Sequence, residues 1–264
     1  MSQQRAIKLL SGPLLFILLL LIGDNESDQI KMIAVALWML SWWVTAAIPI
    51  GVTALLPIVL LPILDILSLR ETTINYANPV IYLFFGGFVL GLAIEKWNLH
   101  RRIALNIMNL AGEKPSRIIL GGMLATSLLS MWISNTATTV MMLPIGMSVV
   151  MLLTDKFDDA SAYKNFALTL MLGIAYAANI GGIATIIGTP PNLVLAGIVE
   201  ESGLEPLSFA NWLFFAFPLV VILFAMVYSV NTKIIYPVKI KELPGIRALI
   251  SDELTQLGNL QKGE

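Results

Sequence analysis

The residues with chemistry to offer lie inside apolar sequence. Leu128 to Leu143 reads LLSMWISNTATTVMML and sets Ser130, Ser134, Asn135, Thr136, Thr138 and Thr139 within an otherwise hydrophobic run. Asn179 to Asn192, NIGGIATIIGTPPN, is a second break between hydrophobic stretches. Hydroxyl, amide and freed backbone carbonyl oxygens are what a hard cation such as sodium prefers. Ser130 and Ser134 stand at i and i+4, one face of a helix that runs through both. A helix restarting after Thr136 would turn N–H groups and the positive end of its dipole toward a carboxylate. Gly181 and Gly182 could bring carbonyls of the second break to the same ion. A single Ser or Asn in a membrane helix more often serves packing; here the cluster as a whole favours ligand binding. Gly188-Thr189 is no phosphate loop, lacking the GxxxxGK[ST] pattern and a preceding strand.

The elements that must hold these residues are membrane helices. The 264 residues are 57% hydrophobic and 12% charged, with mean hydropathy +0.83, whereas a soluble domain carries about 25% charged residues. The expected fold class is therefore an all-α membrane protein of about six membrane elements. No cysteine is present, which excludes disulfides and thiolate sites. One histidine, His100, argues against a His-based metal centre or a Ser-His-Asp triad. With a net charge of −1 and no basic patch interleaved with aromatics, nucleic-acid binding is not expected.

Taken in order, the first span covers Ile7 to Gly23 and is read as an uncleaved helix, since no small-x-small site precedes Asp24. The acidic loop Asp24 to Asp28 follows. The second span runs Ile30 to Ile48, and the third runs Gly51 to Leu67 with Pro57 and Pro62 inside it. The fourth, Pro79 to Ile94, carries Gly86, Gly87 and Gly91, small surfaces that suit close helix packing. Residues 96–117 pattern as a basic amphipathic helix at the lipid interface, with Trp97, Ile103, Leu105, Ile107 and Leu110 among Lys96, Arg101 and Arg102. The last span covers Trp212 to Val230. Residues 233–264 form a charged arm with Ile246, Leu249, Ile250, Leu254 and Leu257 at helical spacing.

Ile118 to Leu153 is about 36 residues without a charge, whereas two full spans need about 40 plus a polar turn. A re-entrant helical hairpin with Ser134-Asn135-Thr136 at its tip fits that length. Phe166 to Val199 fits one span unwound in its middle, tolerated at depth only where it is buried in protein or lines a cavity. Loop charge agrees. With the N-terminus in the cytoplasm, fourteen of sixteen Lys and Arg fall inside, Lys156 and Lys164 among them, and only Lys31 and Arg70 outside. That threading requires the hairpin to enter and leave on one side. The uninterrupted cores hold no Lys, Arg or His, and their acids lie near the ends, which favours sodium over proton coupling.

In the Ser134-Asn135-Thr136 tip, the GGIATIIGTPPN break and the order of elements, the sequence resembles the divalent anion:sodium symporter family, along essentially its whole length. The resemblance implies a secondary transporter for di- or tricarboxylates or sulfate, built from two inverted repeats, of which this chain resembles the N-terminal one. It implies a sodium site from Ser130, Ser134, Asn135 and a carbonyl of Gly181 or Gly182. It implies a substrate site from Asn135, Thr136, Thr189 and Pro190. The segments then become an extra N-terminal transmembrane helix (1–29), scaffold helices (30–95), an interfacial helix (96–117), transport elements (118–199), a last transmembrane helix (200–232) and a cytoplasmic arm (233–264). A multi-pass protein of the inner membrane, in contact with lipid and homodimeric, is the implied setting.

One Ser-Asn-Thr hairpin is present where the family has two, so the chain is expected to supply one wall of the site. The second repeat would come from the rest of a longer chain or from a separate chain. The charge bias argues against two copies in opposite orientations completing it. Rival readings are an arsenite transporter or sodium–proton exchanger, and a non-transporting membrane subunit. An enzyme is not expected, because no metal motif or Ser-His or Asp-Asp pair is in evidence.

Overall fold

In a computed structural model, which describes residues 3–24, 26–154 and 160–259, the apolar stretches fold into thirteen α-helices, with no strand among the described residues. Asn25 of the acidic loop, Lys156 and the last five residues of the arm lie outside the described residues. The chain divides into two compact units, up to Pro79 and from Val80 onward.

In the first unit α1 (Gln3–Ile22) packs along α2 (Asp28–Thr45). The approach is close because Gly12 faces Trp38, where a Cβ would lie 2.3 Å from the indole. Trp42 Nε1 donates to Leu9 O at 2.9 Å, and the Ser11 and Ser41 hydroxyls meet at 2.7 Å. The expected third span, Gly51 to Leu67, is not continuous. It divides into α3 (Ile50–Thr53) and α4 (Leu56–Ile63), because Pro57 has no N–H to carry the ladder back to Thr53. Residues 68–78, between the expected third and fourth spans, contain a further helix, α5 (Leu69–Tyr76). A capping box starts it: Ser68 Oγ accepts from Glu71 N while the Glu71 carboxylate accepts from Ser68 N.

The second unit contains α6 (Pro79–Lys96), α7 (Leu99–Ala111), α8 (Pro115–Ser130), α9 (Asn135–Thr154), α10 (Ala160–Ile183), α11 (Pro190–Glu201), α12 (Phe209–Val230) and α13 (Ile246–Gln256). A wide π turn, Asn231–Ile235, closes α12. The hairpin is real: α8 and α9 are 16 and 20 residues long, about 24 and 30 Å. Their open ends share one core, in which Ile118 and Ile119 of α8 and Val149 and Leu153 of α9 pack with Leu105 and Met108 of α7 and Ile246 and Ile250 of α13. The chain therefore leaves and returns at one end. The 166–199 segment is one helix broken in two, α10 and α11.

The amphipathic segments α7 and α13 bury their apolar sides in this core. The inward residues of α7 are His100, Ala104, Leu105 and Met108, while Leu110, expected on the apolar side, is 88% exposed. Arg101 pairs with Glu253, Arg102 donates to Leu257 O and Gly258 O, and Leu243 N donates to Glu113 O. Among the described residues five helical stretches are long and apolar enough to cross a membrane: Gln4–Ile22, Leu69–Lys96, Asn135–Thr154, Tyr163–Ile183 and Phe209–Ile235. The chain is a multi-pass membrane protein. α2 is not among the five, although it matches the expected second span in extent.

Ile250 is 2% exposed, and truncating it leaves a cavity beneath the hairpin's open end. Ile250→Ala is expected to cost about 2–5 kcal/mol, read as a lower melting temperature in detergent, whereas Leu110→Ala leaves it unchanged.

Candidate functional site

The hairpin tip is built by stopping one helix and starting another within a few residues. α8 ends at Ser130, Met131 to Ser134 turn, and α9 opens with Asn135. Ser130 and Ser134 therefore do not share a helix face as their spacing suggested, because the turn intervenes. Ser134 caps α9: its Oγ accepts from Ala137 N at 3.3 Å and its carbonyl from Thr138 N at 2.9 Å. The helix restarts one residue before Thr136, which lies in its first turn.

The second break falls later than its glycines. Gly181 and Gly182 remain helical in the last turn of α10, and Ala184 to Thr189 is the irregular stretch. Pro190 and Pro191, lacking N–H groups, suit the first turn of a new helix and cannot continue an old one. Thr189 is the N-cap residue of α11 but makes no side-chain cap bond. The freed carbonyls at the end of α10 are met from other helices. Asn192 Nδ2 donates to Gly182 O (2.9 Å) and Thr185 O (2.8 Å), and Trp212 Nε1 donates to Ile183 O (3.0 Å). These bonds satisfy backbone that lipid could not.

The two breaks meet, and the two glycines do different jobs there. A Cβ on Gly181 would sit 2.2 Å from Ser127 O, so this glycine lets the backbones of α8 and α10 touch. A Cβ on Gly182 would sit 2.2 Å from Asn135 Oδ1, so this one makes room for the asparagine side chain. Thr185 Oγ1 donates to Met131 O, tying the second break to the tip. At the centre is Ser130, fully buried. Its Oγ lies 2.9 Å from Asn135 Oδ1 and 2.7 Å from Ala178 O. One hydroxyl proton faces two acceptors, so oxygen lone pairs outnumber protons in this pocket. That donor-poor cluster of hydroxyl, amide and carbonyl oxygens is the chemistry a hard cation completes.

Of the expected site residues the structure brings together Ser130, Asn135 and Gly182. Ser134 is engaged in capping, and Gly181 faces the α8 backbone. Thr136 and Pro190 are exposed and Thr189 half-buried, and none of the three makes a side-chain hydrogen bond among the described residues. The expectation did not include the carbonyl of Ala178, the side chain of Asn179, whose Oδ1 accepts from Asn135 Nδ2 at 3.2 Å, or Asn192. A backbone carbonyl has no signature in a sequence, and Asn179 lies 44 positions from its partner. Thr138 is buried on α9 with no partner for its hydroxyl among the described residues. Among the described residues no group of three or more His, Cys, Asp or Glu could hold a metal, and the cluster's own members, Ser130, Asn135 and the Ala178 carbonyl, are uncharged.

Residues 35–252 match the family described as "Citrate transporter". The chain is 42% identical over 264 residues to the sodium-dependent dicarboxylate transporter SdcS of Staphylococcus saprophyticus, which covers 98% of this chain and 51% of that protein. It is 40% identical over 269 residues to the sodium-dependent dicarboxylate transporter SdcS of Staphylococcus aureus, covering all of this chain and 52% of that protein. The chain thus spans about half the length of the curated relatives it matches.

The packing separates two outcomes. Gly181→Ala must push α8 off α10 and is expected to cost about 1–3 kcal/mol or more. Thr138→Val replaces an unpartnered buried hydroxyl with a methyl group and is expected to keep or raise stability. Melting temperatures of the two purified variants, in the absence of added sodium, check both.

Proposed function

The chain belongs to the citrate transporter family, of the divalent anion:sodium symporter type, and from that premise we propose that it forms one wall of a sodium-coupled transport site for di- or tricarboxylates. The observation that carries the reading is the Ser130 hydroxyl, buried and shared between Asn135 Oδ1 and Ala178 O. Sodium enters there as the coupling ion, held by Ser130 Oγ, Asn135 Oδ1 and the Ala178 carbonyl of α10, with Gly182 making room for the asparagine side chain. Ser134 and Gly181 hold the tip and the helix contact around it. Relatives named as sodium-dependent dicarboxylate transporters support this choice of ion and anion.

The substrate is a small anion. The first turn of α9 offers the N–H groups of Asn135 and Thr136 at the positive end of a 20-residue helix, a favourable place for a carboxylate. Thr136 in the first turn of α9 and Thr189 and Pro190 at the start of α11 are the further substrate contacts of this reading. The tip and the first turns of α9 and α11 contribute no charged side chain of their own, so the anion's charge is met by helix ends and by sodium. Binding of the two is thereby coupled: a site without fixed positive charge holds a dicarboxylate better once the cation is in place.

The rest of the setting follows the same reading. The N-terminus and the arm with α7 and α13 lie in the cytoplasm and the protein is in the inner membrane, in contact with lipid. A second repeat, carried by a longer chain or by a separate one, completes the substrate site, and the assembly is a homodimer. Residues 118–199 are the transport elements. The protein moves its substrate unchanged, so no catalytic group is required.

Uptake of labelled succinate into proteoliposomes of the transporter that carries this sequence tests the reading. Uptake is expected to require a sodium gradient and to fall at least about tenfold in Asn135→Ala, the size of a lost ion-bound hydrogen-bonding group. Equal uptake with choline in place of sodium contradicts sodium symport, and sodium-driven uptake of sulfate but not succinate contradicts the carboxylate assignment.

A further inference from the structure

Asn135 can serve a cation only if its amide presents oxygen, not N–H₂, to the side of Ser130. The two ends of an amide are alike in shape and opposite in hydrogen-bonding character. Reversed, Asn135 would put donors where the cation must sit. Ser130 does not settle the choice, because its hydroxyl can donate or accept. The selecting group must therefore lie on the other side of Asn135.

Asn179 lies there. Its Nδ2 donates to Ala175 O, one turn back on its own helix, at 3.2 Å. A backbone carbonyl only accepts, so this bond fixes the Asn179 amide with Oδ1 turned away from Ala175. That Oδ1 accepts from Asn135 Nδ2 at 3.2 Å, which in turn leaves Asn135 Oδ1 over Gly182 and 2.9 Å from Ser130 Oγ. The chain of bonds has one direction, from the Ala175 carbonyl through two amides to the cation pocket. The same helix supplies the Ala178 carbonyl that Ser130 meets at 2.7 Å, so α10 contributes both a ligand and the group that orients another.

We propose that Asn179 is a positioning residue for sodium. It touches neither ion nor substrate, and it sets the polarity of the Asn135 amide so that oxygen faces the ion. The proposal rests on the reading of Ser130 and Asn135 as sodium ligands. A lost acceptor at position 179 lets the Asn135 amide turn, and sodium affinity falls while the fold persists, because Asn179 is at the surface of the described structure.

The test is sodium-dependent thermal stabilisation of the purified chain in detergent, titrated with sodium chloride against choline chloride at constant ionic strength. Wild type is expected to be stabilised saturably. Asn179→Leu keeps the size and removes the acceptor, and its half-saturating sodium concentration is expected to rise about tenfold with the sodium-free melting temperature within a few degrees of wild type. Asn179→Asp keeps an acceptor toward Asn135 and is expected to match or improve on wild-type affinity. Should Asn179→Leu not fold, Asn179→Ser, whose hydroxyl is too short to reach, takes its place with the same expectation. Unchanged affinity in the variant that removes the acceptor overturns the proposal, as does an Asp variant as weak as Leu. If wild type itself shows no saturable sodium effect, it is the sodium reading that fails.

Discussion

The arrangement depends on the contact of two helix backbones without side chains between them. At Gly181 there is no room for a single methyl group against Ser127 O. That contact places Ser130, at the end of α8, beside the Ala178 carbonyl of α10. It also brings the tip of the hairpin onto Gly182, where Asn135 fills the space a side chain would take. Loosen the contact, and the hydroxyl, the amide and the carbonyl no longer share one pocket. Small residues at membrane helix interfaces allow such approach generally; here the approach assembles the oxygen cluster.

Two interrupted helices in apolar surroundings would be costly if their ends were left bare. They are met by groups from other elements: Ser134 for the start of α9, Asn192 and Trp212 for the end of α10, and Thr185 for the turn at Met131. Each of these side chains lies close to the oxygen cluster. At the opposite end, α7 and α13 close over the roots of the hairpin, with Ile246 and Ile250 in the same core as Ile118 and Leu153. The hairpin is thus held at its root by apolar packing and at its tip by polar bonds. The oxygen cluster sits where the polar bonding is densest.

Much of this was legible in the sequence, for identifiable reasons. The hairpin followed from the length of an uncharged run and the sidedness of Lys and Arg, both of which are properties of membrane insertion. The meeting point of the two breaks followed from Ser130 and Asn135, whose grouping with other polar residues in apolar sequence marked it. Finer limits were not legible. Gly181 and Gly182 look like helix breakers but stay helical, because packing against α8 and Asn135 compensates for the weak propensity of glycine. The break instead begins at Ala184, ahead of Pro190 and Pro191. Ser130 and Ser134 look like one helix face, and only the structure shows the turn between them. Asn179 reads as an ordinary polar residue on a helix, since its bond to Asn135 depends on a partner brought close by folding. The short helix α5 was hidden because eight polar-rich residues carry little periodicity; Ser68 and Glu71 were its only signature.

The central claim is that one sodium ion is held jointly by the hairpin tip and α10 at the Ala178 carbonyl. Amide hydrogen exchange of the purified chain, with sodium or choline as the only monovalent cation, tests it directly. Sodium is predicted to slow exchange together in peptides covering 130–140 and 176–189, and to leave α1 to α5 unchanged. Exchange that is the same in both salts, or protection at one break without the other, would contradict the account.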